Sequence, residues 1–500
     1  MTAPNALCTL RAPQTSRLVL RGTNPAMNRT QTAPIIEVRC RIGAYAMDAD
    51  ESPVLAMPDL PRDRPGFREF LRLVRDNTLA AYPPDAADAD FVARRLLWRR
   101  RFIVNEPNAI RYVLLDNAAN YTKSELTRRL LEPGLGRGLL TSEGETWRRH
   151  RRIMAPAFDP RSMSVYAPII TDVTAELLSR WNALPESSEL DVSAAMMQTT
   201  LHVISRTMFS ADSDKIVDVV ERSVEQYQKN VRPSPFDLLG FPEWFAKLFS
   251  PRQRAAAAFT EFDQAVDRLL DSRAGERHGE RKDLLARLVA ARDTETDRGM
   301  TAKEVRDEVV TIFMAGHETT AQALTWTWYL LSLHPAARAK LHDELNTVLG
   351  GRTPQYDDIA QLRYTRMVIE EAMRLYPPAH TMARQPISAD TILGHRIPAG
   401  TVVLIVPWLL HRKSSLWKEP HRFIPERFAV DPPRFTYIPF GAGQRICIGA
   451  AFAMTEAVLI LAMIAQRYRL RLKPGHPVEP QGLITLRPRY GLRMILERLC

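Results

Sequence analysis

The chain has 500 residues, 45% hydrophobic and 25% charged, a composition suited to a soluble globular protein long enough to enclose a cofactor. Its longest apolar runs reach nine residues, well short of the roughly 20 that a spanning helix needs, so no transmembrane anchor is expected. A net charge of +11 with scattered basic residues and no nucleic-acid motif gives no support to nucleic-acid binding and leaves a solvated basic surface or a docking face for an acidic protein.

Residues 1–46 hold six arginines and one acid without hydrophobic periodicity, and read as a disordered leader. The segment faintly resembles an organelle transit peptide, and reads equally as sequence upstream of a true start at Met27 or Met47. Residues 47–500 are expected to form one large domain, mainly α with a small β region. The four cysteines, Cys8, Cys40, Cys447 and Cys500, include no CxxC pair, so neither a disulfide framework nor a zinc knuckle is expected and a reducing cytoplasm fits. Residues 94–104 alternate and are rich in arginine, which suits exposed strands. Residues 236–249 are rich in Phe, Leu and Trp244, fitting either core packing or substrate contact.

The capping box of Thr301 and Glu304 opens a helical pattern that His334-Pro335 ends. Its middle is apolar, yet Gly316, His317, Glu318, Thr319 and Thr320 follow at once, and both a helix-interior glycine and a buried carboxylate carry a cost. A break at Gly316 is therefore expected. His317-Glu318 is not a zinc-protease motif, because position 321 is Ala rather than the second His. Strands are expected within 397–406 and 483–496 and a helix over 450–466.

Chemistry concentrates in Phe440-Gly-Ala-Gly443-Gln-Arg445-Ile-Cys447-Ile-Gly449. Gly443 and Gly449 permit sharp turns and close backbone approach. Ile446 and Ile448 are expected to shield the sulfur, while the following helix start and Arg445 favour a thiolate. The segment resembles the cysteine loop of the cytochrome P-450 family, F-x-x-G-x-R-x-C-x-G, at all five fixed positions. Ala315 to Thr320 resembles that family's oxygen-binding A-G-x-D/E-T-T. Glu371 and Arg374 match E-x-x-R, residues 425–428 match P-E-R-F, and Trp147 with Arg151 match W-x-x-x-R.

The resemblance implies the fold of that family and haem b, with Cys447 as the axial thiolate that pushes electron density toward the iron. It implies Glu318 and Thr319 as the pair that delivers protons and a hydrogen bond at the oxygen site. Trp147, Arg151, Arg384 and Arg445 are implied on the propionates, with Phe440 and Gly449 framing the ligand, and Arg427 closing a structural triad with Glu371 and Arg374. Ile312, Phe313, Ala315 and Met382 point to a hydrophobic substrate, oxidised with O2. Electrons are expected from NAD(P)H through a ferredoxin- or flavodoxin-type donor docked near the basic helix around residues 148–152. A haem-thiolate peroxygenase, a cysteine hydrolase and a haem sensor are the rival readings. The acid–alcohol pair, the lack of a His/Asn arrangement and the oxygen-handling residues speak against them in turn.

Overall fold

The computed structural model describes residues 53–58, 66–83, 86–96, 99–210, 217–230, 241, 257, 259–273 and 283–499. The leader expected over 1–46 lies outside them, as does the 236–249 segment apart from Phe241. Six helices build the site: α1 (Gly144–Met154), α2 (Pro160–Asn182), α3 (Val192–Phe209), α4 (Ala302–Leu333), α5 (Arg363–Leu375) and α6 (Ala450–Ala465). Among the described residues twelve short strands accompany them, so the mainly α architecture holds.

Helix α4 is the axle of the core. Thr301 and Glu304 close the capping box reciprocally, and the backbone runs unbroken for 32 residues, about 48 Å. Nearly all its side chains from Val305 to Leu331 are buried. Helix α3 packs along it, and there Thr200 Oγ1 donates to the carbonyl of His317 at 2.8 Å. The expected break at Gly316 is absent. Thr319 and Thr320 bond back to the carbonyls of Ala315 and Gly316, at 2.7 and 3.2 Å, and the helix absorbs the glycine without opening. Among the described residues no helix is long and apolar enough to cross a membrane.

One sheet of five strands has the order β1 (Phe91–Leu96), β2 (Arg99–Val104), β8 (Val402–Ile405), β5 (Met382–Pro386), β3 (Tyr121–Lys123). Only β2 and β8 run parallel. The arginine-rich stretch does form strands β1 and β2, but it is not exposed throughout: Phe102, Ile103 and Val104 are buried where β2 meets β8. Residues 397–406 split at a turn, with β7 (His395–Ile397) pairing with β6 (Asp390–Ile392) and β8 continuing the large sheet. A three-stranded sheet joins β4 (Glu189–Asp191), β12 (Arg493–Arg498) and β9 (Tyr468–Leu472), and a hairpin joins β10 (Pro480–Gly482) to β11 (Leu486–Pro488).

Helix α5 carries a buried ionic knot. Glu371 and Arg374 are both fully buried on α5 and form a bidentate pair at 2.7 and 2.8 Å. Arg374 also donates to the carbonyls of His411, Pro420 and Arg422, so the guanidinium makes five bonds. Arg427 approaches Glu371 at 3.4 Å, closing the expected triad.

Candidate functional site

The cysteine loop is shaped by two left-handed glycines, Gly441 at φ +73 and Gly443 at φ +70. A 3-10 turn over Gly443–Arg445 follows, and Cys447 N–H donates to Phe440 O at 2.9 Å. A Cβ on Gly443 would lie 2.0 Å from the carbonyl oxygen of Leu114, so the loop rests directly on backbone. Leu114 sits in a π-helical turn, Tyr112–Asp116, a rare form often found at functional sites.

Cys447 is surface-accessible although protein surrounds it on most sides. Burial pushes its thiol up, while the Gly449 N–H and the charge of Arg151 pull it back. The cation bearing on the sulfur is thus Arg151, not Arg445 as its position two residues away suggests. Arg151 donates to Ile446 O at 2.7 Å, which directs it to the cysteine loop. Ile446 itself is 43% exposed and does not act as the expected shield; Ile448 is partly buried against the core.

On α4, Ala315 is exposed within an otherwise buried run, and Gly316 and Thr319 are half-buried beside it. Exposure in the middle of a core helix means that these residues face an internal space. Glu318 is buried and accepts a hydrogen bond from Thr485 at 2.5 Å. That threonine lies in the turn joining β10 to β11, and its neighbour Ile484 is an exposed apolar side chain. Of the four expected pocket residues, Phe313 belongs to the aromatic core, fully buried between Phe209 and Phe262. Ile312 is buried too, whereas Met382 is half-buried, its sulfur 3.5 Å from where a Cβ on Gly441 would sit.

Cations gather at one edge of the loop. Arg445 lies over the buried Trp147 ring at 4.3 Å, donates to Ser142 O at 3.1 Å and pairs with Glu143. Lys123 and Arg384 are directly opposed in the β3–β5 register, an unfavourable placement for like charges. Burial, then Arg445 and Arg384, push Lys123 down to about 7; burial, then Arg445, push Arg384 down to about 10. Among the described residues, Glu143 is the carboxylate that bears on all three cations. Such a surplus of partly buried positive charge suits a dianionic group, and the two carboxylates of haem b fit it. Lys123 and Glu143 were not legible as site residues in the sequence, since a three-residue strand and a helix N-cap give no chemical signature.

A family model described as cytochrome P450 matches residues 89–493. The chain is 37% identical over 425 residues to "Cyclooctatin synthase" of Streptomyces melanosporofaciens, covering 84% of this chain and 90% of that protein. It is 36% identical over 411 residues to "Cyclooctat-9-en-7-ol 5-monooxygenase" of the same organism, covering 79% and 85%. It is 31% identical over 423 residues to "Protein LUTEIN DEFICIENT 5, chloroplastic" of Arabidopsis thaliana, covering 79% and 70%.

Proposed function

The chain belongs to the cytochrome P450 family, an oxidoreductase of the haem-thiolate monooxygenase kind, and from that premise we propose that Cys447 ligates the iron of haem b and that the substrate is an apolar unsaturated alcohol. One observation carries this reading: an accessible cysteine on a rigid loop stands beside a partly buried surplus of cations. When bound, haem b supplies dioxygen activation, by which one oxygen atom enters a C–H or C=C bond and the other leaves as water.

The residues divide the remaining work. Lys123, Arg384 and Arg445 would hold the propionates, with Trp147 packed under Arg445. Phe440 accepts the Cys447 N–H through its carbonyl, and Gly449 donates to the sulfur, fixing where the thiolate points. Arg151 ties α1 to the loop at Ile446. Thr319 presents a hydroxyl at the exposed stretch of α4, and Glu318 beside it holds a proton-accepting carboxylate anchored by Thr485. Ala315, Met382 and Ile484 offer apolar surface to the substrate. The relative named for cyclooctat-9-en-7-ol acts on such an alcohol, which supports the substrate class proposed here.

Electrons would come from NAD(P)H through a separate ferredoxin- or flavodoxin-type protein, in the cytoplasm. Helix α1 offers less charge to such a partner than its sequence promises. Arg149 pairs with Glu304, and Arg152 with Asp293 at 2.7 Å and with Glu145 and Glu295. Arg148, 58% exposed at its side chain, is the member left for docking, and it contacts Glu145 at 3.2 Å.

Cys447→Ala tests the reading. The purified variant is expected to lose the thiolate-type ferrous–CO band and all turnover. A variant that keeps both ends the assignment. Glu318→Gln is expected to slow turnover roughly 100-fold, the scale of a lost proton-transfer group. Product formed per NAD(P)H consumed should fall with it, and unchanged coupling would remove Glu318 from proton delivery.

A further inference from the structure

We infer that His150 and Glu308 are positioning residues for the cofactor's anionic edge, a buried ion pair that fixes the turn at residues 136–142 and, through it, Lys123 and Arg445. The inference rests on the haem reading above.

Both side chains are fully buried, His150 on α1 and Glu308 on α4. His150 Nδ1 lies 2.6 Å from Glu308 Oε1, and Nε2 lies 3.4 Å from Glu304 Oε1. The charged groups facing the imidazole are therefore Glu304 and Glu308 from α4 and Arg149, Nη2 at 3.3 Å, from its own helix. The second oxygen of Glu308 accepts the N–H of Leu139 at 3.0 Å, and Asp307 accepts that of Arg137 at 2.9 Å. Two adjacent carboxylates thus grip one turn. Its glycines allow no slack, because a Cβ on Gly138 would meet Thr311 Oγ1 at 2.2 Å.

The opposite side of the same turn serves the site. Lys123 Nζ donates to the carbonyls of Leu139 and Leu140, and Arg445 to that of Ser142. Next in the chain, Glu143 accepts the Lys123 N–H at 2.9 Å and pairs with Arg445. The turn then enters α1, which carries Trp147, His150 and Arg151. His150 therefore closes a circuit: it clamps from behind the segment whose front aligns the cations. Removing either partner leaves the other charge buried beside that segment.

The pair is titratable. Burial alone would lower His150, but the hydrogen bonds and charges of Glu308 and Glu304 outweigh it and raise it above the ordinary imidazole value. The sign follows: the ion pair is complete below about 6.5, the unfolded value, and is lost as pH rises through the raised folded value. Its contribution to cofactor retention should disappear in the same direction.

Transfer of haem from the holoenzyme to excess apomyoglobin, followed by absorbance from about pH 6 to about pH 9, tests this. The wild-type loss rate is expected to climb across that range. His150→Gln, which keeps a donor without a charge, should lose haem on the order of tenfold faster at the acid end, the scale seen when a supporting partner of a metal site is removed. Its pH profile should be shallower than the wild-type one, keeping only the step that Lys123, pushed down to about 7, gives to both, and Glu308→Gln should behave alike. A merely structural role would raise the rate without flattening the profile. A wild-type profile that is flat, or a variant that retains the wild-type slope, overturns the inference. If neither variant folds, Lys123→Arg, which stays charged throughout this range, decides: a loss rate that still climbs supports the pair, and a flat profile overturns it. Absence of the thiolate-type ferrous–CO band in the wild type would instead strike the haem reading, so the two failures are distinct.

Discussion

Glu371→Ala will cost the protein roughly 3–5 kcal/mol, the usual penalty for leaving a buried charge without its partner, and little folded protein will survive purification. The carboxylate holds Arg374 bidentately, accepts the Ile424 N–H at 2.9 Å and stands 3.4 Å from Arg427. Its loss strands one fully buried guanidinium and one partly buried one. Arg374→Lys should rescue almost nothing. An ammonium has three donors and no planar fork, whereas Arg374 makes five bonds, three of them to carbonyls. Thermal unfolding by circular dichroism, with haem content measured alongside, checks both variants. A midpoint within a degree or two of wild type for either would show the knot to be dispensable.

Gly443→Ala should abolish cofactor incorporation while leaving the helical core largely folded. Two effects coincide at this residue. Its φ of +70 costs an L-residue about 1–2 kcal/mol. More serious, the new methyl would sit 2.0 Å from Leu114 O and 2.7 Å from Leu114 C, and backbone cannot swing aside as a side chain can. Relief must come from moving the loop, and Cys447 travels with it. The expected result is near-native far-ultraviolet circular dichroism, a haem-to-protein ratio well below wild type and a lost or weakened thiolate-type band. Full haem loading would mean that the π-helical turn yields instead.

What could be read ahead of the fold was local. Thr301 with Glu304 and His334-Pro335 bound α4 at the residues where capping chemistry and proline sterics put them. The cysteine loop and the E-x-x-R pair were legible because their spacing is short and their residue types rare in combination. What escaped depends on pairing across long separations. Lys123 matters because β3 lies against β5, more than 250 residues onward. His150 reads as one more basic residue in an arginine-rich helix until α4 brings Glu308 to it. Two local inferences failed for the same reason. Ile446 looked like a shield, but the loop turns it outward, and Phe313 looked like a pocket residue, but α4 turns it toward Phe209 and Phe262.

Gly316 has a further bearing. A methyl placed on it would come no closer than 3.7 Å to Ile204, ordinary contact distance, and the helix there is already regular. For anyone reshaping this catalyst, a methyl at position 316 thus meets no protein wall, and the bound cofactor and substrate set the limit on bulk added beside the exposed Ala315. Gly138 and Gly443 are closed to the same experiment. The glycine that looked most constrained in the primary structure is thus one that the surrounding protein leaves room to replace.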